Sequence, residues 1–132
     1  MKKKVVVFVV IAVITITSGA YMILNSAFPL ANPTVYPNEK DINSFSVLYD
    51  SEPIEVSDMS FGSIIEYIKT SEPTRKMSLN DIPDTRPYFE IVVDTEVKRY
   101  KYFIYEKGDT AYLEMPYDGV YIIGEDVLDL LQ

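Results

Sequence analysis

Phe89-Glu90-Ile91-Val92-Val93-Asp94 sets Phe89, Ile91 and Val93 in alternation with Glu90 and Asp94, the period of a half-buried strand. Residues 98–107 follow, dense in Tyr100, Tyr102, Phe103, Ile104 and Tyr105. Lys107-Gly108-Asp109 is a turn signal, and residues 110–115 return with Ala111, Leu113 and Met115 on one side and Tyr112 and Glu114 on the other. Asp118-Gly119 is the strongest two-residue hairpin signal in the chain, and residues 120–123 make the last strand. This part of the sequence predicts an antiparallel meander.

Working outward from the meander, residues 125–131 read as a short closing helix with Val127, Leu130 and Leu131 towards the core. Upstream, Phe61, Ile64, Ile65 and Ile68 fall at i, i+3, i+4 and i+7, one face of a main helix. Ser57 is its expected N-cap, Asp58 its first-turn anion, and Glu72-Pro73 its stop. Residues 44–49 form a candidate first strand. The expected class is therefore α+β, a main helix packed on an antiparallel meander with a short C-terminal helix.

The amino terminus carries a different signal. Lys2, Lys3 and Lys4 precede residues 5–24, which hold no charge, and the next cation is Lys40. Twenty residues at about 1.5 Å each span roughly 30 Å, the thickness of a bilayer core. The lysine asymmetry predicts a single-pass cell-membrane protein with its N-terminus in the cytoplasm and its body outside. A cleaved signal peptide is the alternative, with residues 5–16 as its apolar region and Ser18-Gly19-Ala20 as the cut, which would leave a secreted body. Apolar Tyr21-Met22-Ile23-Leu24 beyond that cut favours the anchor. The expected organisation is an anchor over 1–27, a proline-rich spacer over 28–42 and an extracytoplasmic domain over 43–132. Pro29, Pro33 and Pro37 recur every four residues in the spacer and predict an extended stalk.

Composition removes whole classes of function. The 132 residues include no His and no Cys, so a Ser-His-Asp triad, a thiolate nucleophile, an imidazole or thiolate metal site and a disulfide are all excluded. Twelve cations against twenty anions argue against nucleic acid, which a polyanion repels. Beyond the three N-terminal lysines, nine cations face all twenty anions, a net charge of −11. No cofactor is expected. Asn80, Asp81 and Asp84 gather oxygen atoms, but without calcium-loop spacing, and they read as an Asx turn with Asp84 paired to Arg86; no metal site is expected. Glu90, Glu106 and Glu114 alternate with apolar positions as solvated faces do, so no catalytic residue is assigned and the chain is not expected to be an enzyme. A small carboxylate-dependent enzyme of the cell envelope, or a structural or assembly protein, are the alternatives.

Eleven tyrosines in such a chain point to a surface instead. Tyr102, Tyr112 and Tyr121, if they share an outer face, form an aromatic binding patch beside the cations Arg99 and Lys101. The alternative is that cross-strand tyrosines only stabilise the sheet. The function expected is a membrane-anchored extracytoplasmic binding or interaction domain. Its expected partners are membrane lipid through the N-terminal helix, and an envelope protein or wall component through the body.

The wording of residues 102–121, Tyr105-Glu106-Lys107, a turn, Tyr112-Leu113-Glu114, then Pro116-Tyr117-Asp118-Gly119-Val120-Tyr121, resembles a group of small domains of unknown function. These are carried by exported or membrane-anchored proteins of Gram-positive bacteria. Ser78-Leu79-Asn80-Asp81 and Pro87-Tyr88 are similar in style, and the likeness runs over roughly residues 57–123. It implies an exported bacterial domain of unknown function and transfers no functional residue.

Overall fold

The computed structural model describes residues 2–132, leaving aside the side chains at 58 and 59, where the first-turn anion expected of Asp58 falls. The chain divides into two compact units, Met1–Leu30 and Ala31–Gln132. The first is the helix α1, Lys2–Ala27, none of whose residues is buried and which is long and apolar enough to cross a membrane. Its Thr15 and Thr17 hydroxyls donate back to the carbonyls of Ile11 and Val13, at 2.9 Å each, so these polar groups are satisfied within the helix.

The second unit is α+β, as the sequence predicts. Its strands are β1 (Ile42–Tyr49), β2 (Glu52–Ile54), β3 (Glu72–Pro73), β4 (Phe89–Thr95), β5 (Arg99–Lys107), β6 (Thr110–Met115) and β7 (Gly119–Ile122). They form one antiparallel sheet in the order β2-β1-β4-β5-β6-β7-β3. Helix α2, Asp58–Lys69, lies between β2 and β3, and the short α3, Val127–Leu130, follows β7. Both edge strands are two or three residues long and contain a proline, Pro53 or Pro73, which cannot donate to an added strand.

One face of the sheet builds the main core. Ile91 and Val93 of β4, Tyr102 and Ile104 of β5, Ala111 and Leu113 of β6 and Tyr121 of β7 meet Ile64, Ile65 and Ile68 of α2 and Val127 near the end of the chain. The helical spacing of Ile64, Ile65 and Ile68 is the physical reason α2 docks with that face inwards. Among the described residues every buried hydrophobic side chain lies between Ala31 and Leu131, so residues 31–132 carry a core of their own.

Part of the opposite face is covered by residues 74–88, which leave β3 at one edge and cross β7, β6 and β5 to enter β4. Thr74 and Lys76 bond the backbone of Val120, Ser78 bonds Glu114 of β6, and the Tyr88 ring meets Phe103 of β5 edge-on at 5.2 Å. This crossover has no apolar periodicity of its own, which is why the sequence shows it only as a loop.

The proline-rich segment carries no helix or strand over residues 29–38, and it is held against the body. Ala31 and Pro37 are buried, and residues 31–37 lie as a strap along the body. The buried tyrosines of the core hold it: the Tyr121 hydroxyl donates to the Asn32 carbonyl and the Tyr102 hydroxyl to the Val35 carbonyl, both at 2.7 Å. Thr34 donates to the Ile68 carbonyl at the end of α2, and the Ala31 amide to the Thr74 carbonyl. The carbonyls of Asn32 and Val35, not those of the prolines, give the two tyrosine hydroxyls at the core rim the partners that buried tyrosines need.

The turns also differ in one place. Lys107 pairs with Thr110, so Gly108-Asp109 is a two-residue turn, with Gly108 at φ 66°. At the next turn Met115 pairs with Gly119, leaving three loop residues, and Tyr117 rather than a glycine takes the left-handed conformation, φ 61°. Asp118-Gly119 is therefore not the two-residue turn its sequence predicts. Gly119 is needed for space: a Cβ there would overlap the methyl of Ala31 in the strap.

Candidate functional site: an aromatic-floored cleft

The structure separates the five residues of the expected aromatic patch. Tyr102 and Tyr121 are 0% exposed, with their rings in the main core and their hydroxyls on the strap. Tyr112 lies on the other face, stacked on Tyr105 with centroids 5.8 Å apart and with the Lys76 ammonium over its ring. Arg99 is bound to Asp94 through both Nε and an Nη, and Lys101 to Glu90 at 2.9 Å. An outer patch of Tyr102, Tyr112, Tyr121, Arg99 and Lys101 does not form.

The carboxylates also depart from a uniformly solvated reading. Glu106 is exposed, but Glu114 is 8% exposed under the crossover, accepting from the Ser78 hydroxyl at 2.7 Å and the Tyr105 hydroxyl at 3.1 Å. A buried carboxylate needs such donors, and here they pin the crossover to β6. Asp84 accepts from Asn80 rather than pairing with Arg86, and Asp81 accepts from Tyr117. Arg86 instead pairs with Asp50 and lies over the Tyr88 ring. Among the described residues no group of acidic side chains is arranged to hold a metal ion.

A concavity lies elsewhere, at the end of the sheet where four chain segments meet. The β1–β2 hairpin contributes Tyr49, Ile54 and Glu55, the entry to β4 contributes Pro87 and Phe89, and the end of β5 contributes Ile104, Tyr105 and Glu106. Leu128 and Leu131 close the remaining side, and the cleft measures about 710 Å³. That lies within the range of small-ligand sites, roughly 300–1,000 Å³. Its floor is the Tyr49–Phe89 pair, with centroids 4.8 Å apart at an interplanar angle of 43°. Tyr49 remains 40% exposed while Phe89 is buried, so Tyr49 is the accessible ring of the pair.

Local geometry fixes this floor. Tyr49 pairs with Glu52, so the hairpin turns through Asp50 and Ser51 alone, both at positive φ (47° and 78°). Two non-glycine residues in the left-handed region need outside support. The Asp50 amide supplies it by donating to the Tyr88 carbonyl, and the Asp50 carboxylate by receiving Arg86. Tyr105 is shared between cleft and crossover: burial, with the Glu114 carboxylate beside it, pushes its hydroxyl above the usual tyrosine range and keeps it a neutral donor. A groove of about 460 Å³ under the crossover is lined by charges of both signs, among them Lys76, Lys107, Asp84 and Glu114.

Sequence reasoning does not reach the cleft. Its residues come from positions 49 to 132 with no shared spacing, and the signal nearest to it is the polar Asp50-Ser51 between Tyr49 and Glu52.

With this architecture in view, a family model described as a domain of unknown function, DUF5301, matches residues 31–122. The chain belongs to the DUF5301 family. The match begins at Ala31, the first buried residue of the strap, so in DUF5301 terms the strap is part of the domain. A solved structure, the NMR structure of the protein from Ruminococcus gnavus, is similar to this DUF5301 chain at 28% identity and a TM-score of 0.57. The alignment covers 70% of this chain and 96% of that one. No curated protein matches the chain.

Proposed function

We propose that the chain is a membrane-anchored binding domain whose DUF5301 body, outside the cell, holds a ligand with an apolar portion in the cleft between the β1–β2 hairpin, β4 and the C-terminal residues. The observation that carries this reading is the cleft itself: about 710 Å³, with an accessible aromatic ring for a floor. The anchor reading is supported by α1, with Lys2, Lys3 and Lys4 at its start and no charge after them, which orients the N-terminus to the cytoplasm. Lipid is then the partner of α1, and an envelope protein or wall component the source of the body's ligand. A body of net charge −11 gives no grip on nucleic acid. Catalysis is not part of the proposal, since the buried carboxylate Glu114 is engaged by Ser78 and Tyr105 under the crossover and the cleft's own carboxylates, Glu55 and Glu106, are exposed.

The test uses 4-phenylbutanol, a neutral aromatic probe, titrated into isotopically labelled residues 31–132 and followed by NMR. Shifts centred on Tyr49, Ile54, Leu128 and Leu131 are the expected result; none, or shifts scattered over the body, overturn the reading. Orientation is read separately in intact cells. The chain has no cysteine, so Val97→Cys at the 96% exposed tip between β4 and β5 gives a single thiol. An impermeant maleimide is expected to label it, and a failure to label while lysed cells do would place the body inside.

A further inference from the structure

The charged groups lining the cleft are all of one sign. Glu55 enters from the end of β2 and Glu106 from the end of β5, and neither Lys nor Arg lines it. Of the neighbouring cations, Arg86 pairs with Asp50 and lies over Tyr88, and Lys107 lines the groove under the crossover rather than the cleft. Tyr49, 40% exposed, is the accessible aromatic ring of the lining, and aromatic rings attract cations to their faces. The body already uses that contact within itself, with Lys69 over Tyr36, Lys76 over Tyr112, Arg86 over Tyr88 and Lys98 over Tyr100, at 4.8–5.3 Å from the ring centroids. A net charge of −11 beyond the first lysines draws cations to the body from a distance.

The size of the cleft says what kind of cation. Twelve residues line it, against the roughly 20–30 residues per side of an ordinary protein–protein interface, while its volume suits a small molecule. Resting on the binding reading above, we propose that the cleft takes a small organic cation, an amine or guanidinium carried on an aromatic or aliphatic body. The apolar body packs between Ile54, Phe89, Leu128 and Leu131, and the charged head sits over Tyr49 between Glu55 and Glu106.

The test compares three probes of the same skeleton, 4-phenylbutylamine, 4-phenylbutanol and 4-phenylbutyrate, on labelled residues 31–132, which carry a core of their own. The amine is expected to bind about tenfold more tightly than the alcohol at low salt, with the carboxylate weakest. In the Glu55→Gln/Glu106→Gln double variant, whose two sites are exposed and so leave the core intact, that preference is expected to fall to within about twofold, and 0.5 M salt should erode it in the parent. Equal affinity for amine and alcohol overturns the cation assignment and leaves the cleft standing. A preference unchanged in the double variant, or amine shifts centred away from Tyr49, overturns the roles of Glu55 and Glu106. No binding by any of the three overturns the cleft reading and this one with it.

Discussion

Replacing Tyr102 and Tyr121 by phenylalanine should release the strap while leaving the core packed. Each ring keeps its place among Ile64, Ile91, Leu113 and Ile104, and only the hydroxyl is lost. Each hydroxyl makes a 2.7 Å bond to a strap carbonyl, Val35 or Asn32, and such a bond contributes about 1 kcal/mol net. The freed carbonyls belong to exposed residues, so water replaces the lost donors and no larger penalty arises. The two contacts lie on separate strands, and their effects should add to about 2 kcal/mol. At about 1.4 kcal/mol per tenfold, the strap should open roughly 5-fold more often in either single variant and about 30-fold more often in the double. Proteolysis of the full chain in detergent micelles reads this, because cleavage near the exposed Tyr36 requires the segment to lift clear of the body and its rate follows the opening constant. A double variant cleaved within about twofold of the parent rate would refute the reasoning and assign the strap's hold to Ala31, Thr34 and Pro37 instead.

Two further outcomes follow from the same packing. Gly119→Ala forces a methyl against that of Ala31 and should cost about 1–3 kcal/mol, read as a lower melting temperature, with much of it recovered in the Gly119→Ala/Ala31→Gly pair. A pair no more stable than Gly119→Ala alone would show that the clash lies elsewhere. Alkali should unfold the body early. Burial raises the hydroxyl pKa of Tyr102, Tyr105 and Tyr121, that of Tyr121 up to about 12, from an ordinary value near 10. Above pH 10 the unfolded chain therefore binds fewer protons than the folded one, and stability that is whole below pH 10 declines as pH rises towards 12. A melting temperature flat from pH 9 to 12 would contradict this.

The meander, the main helix and the class are legible because each rests on a local period: two in residues 89–94 and 110–115, and 3.6 in Phe61, Ile64, Ile65 and Ile68. Which tyrosines share a face is not local, because it depends on turn length. A two-residue turn at Gly108-Asp109 sets Tyr105 opposite Tyr112 and therefore puts Tyr102 on the face opposite to Tyr112. That conclusion was available from the sequence once the turn was read. Tyr121 is different. A two-residue turn at Asp118-Gly119 would set it on the face of Tyr112, but the observed three-residue loop shifts the register by one and turns it inwards beside Leu113.

Composition and local neighbours are enough to fix the apolar N-terminal helix, the acidity of the body, the exclusion of thiol and imidazole chemistry, and the antiparallel α+β plan, since each follows from residue counts or from neighbours within a turn or a strand. Tertiary structure alone decided that the prolines form a docked strap, that Glu114 is buried under a crossover, and that Tyr49, Phe89, Glu55, Glu106 and Leu128 surround one cleft. The physical reason is common to all three. Each depends on where chain segments tens of residues apart come to rest on the sheet, and no local period encodes that placement.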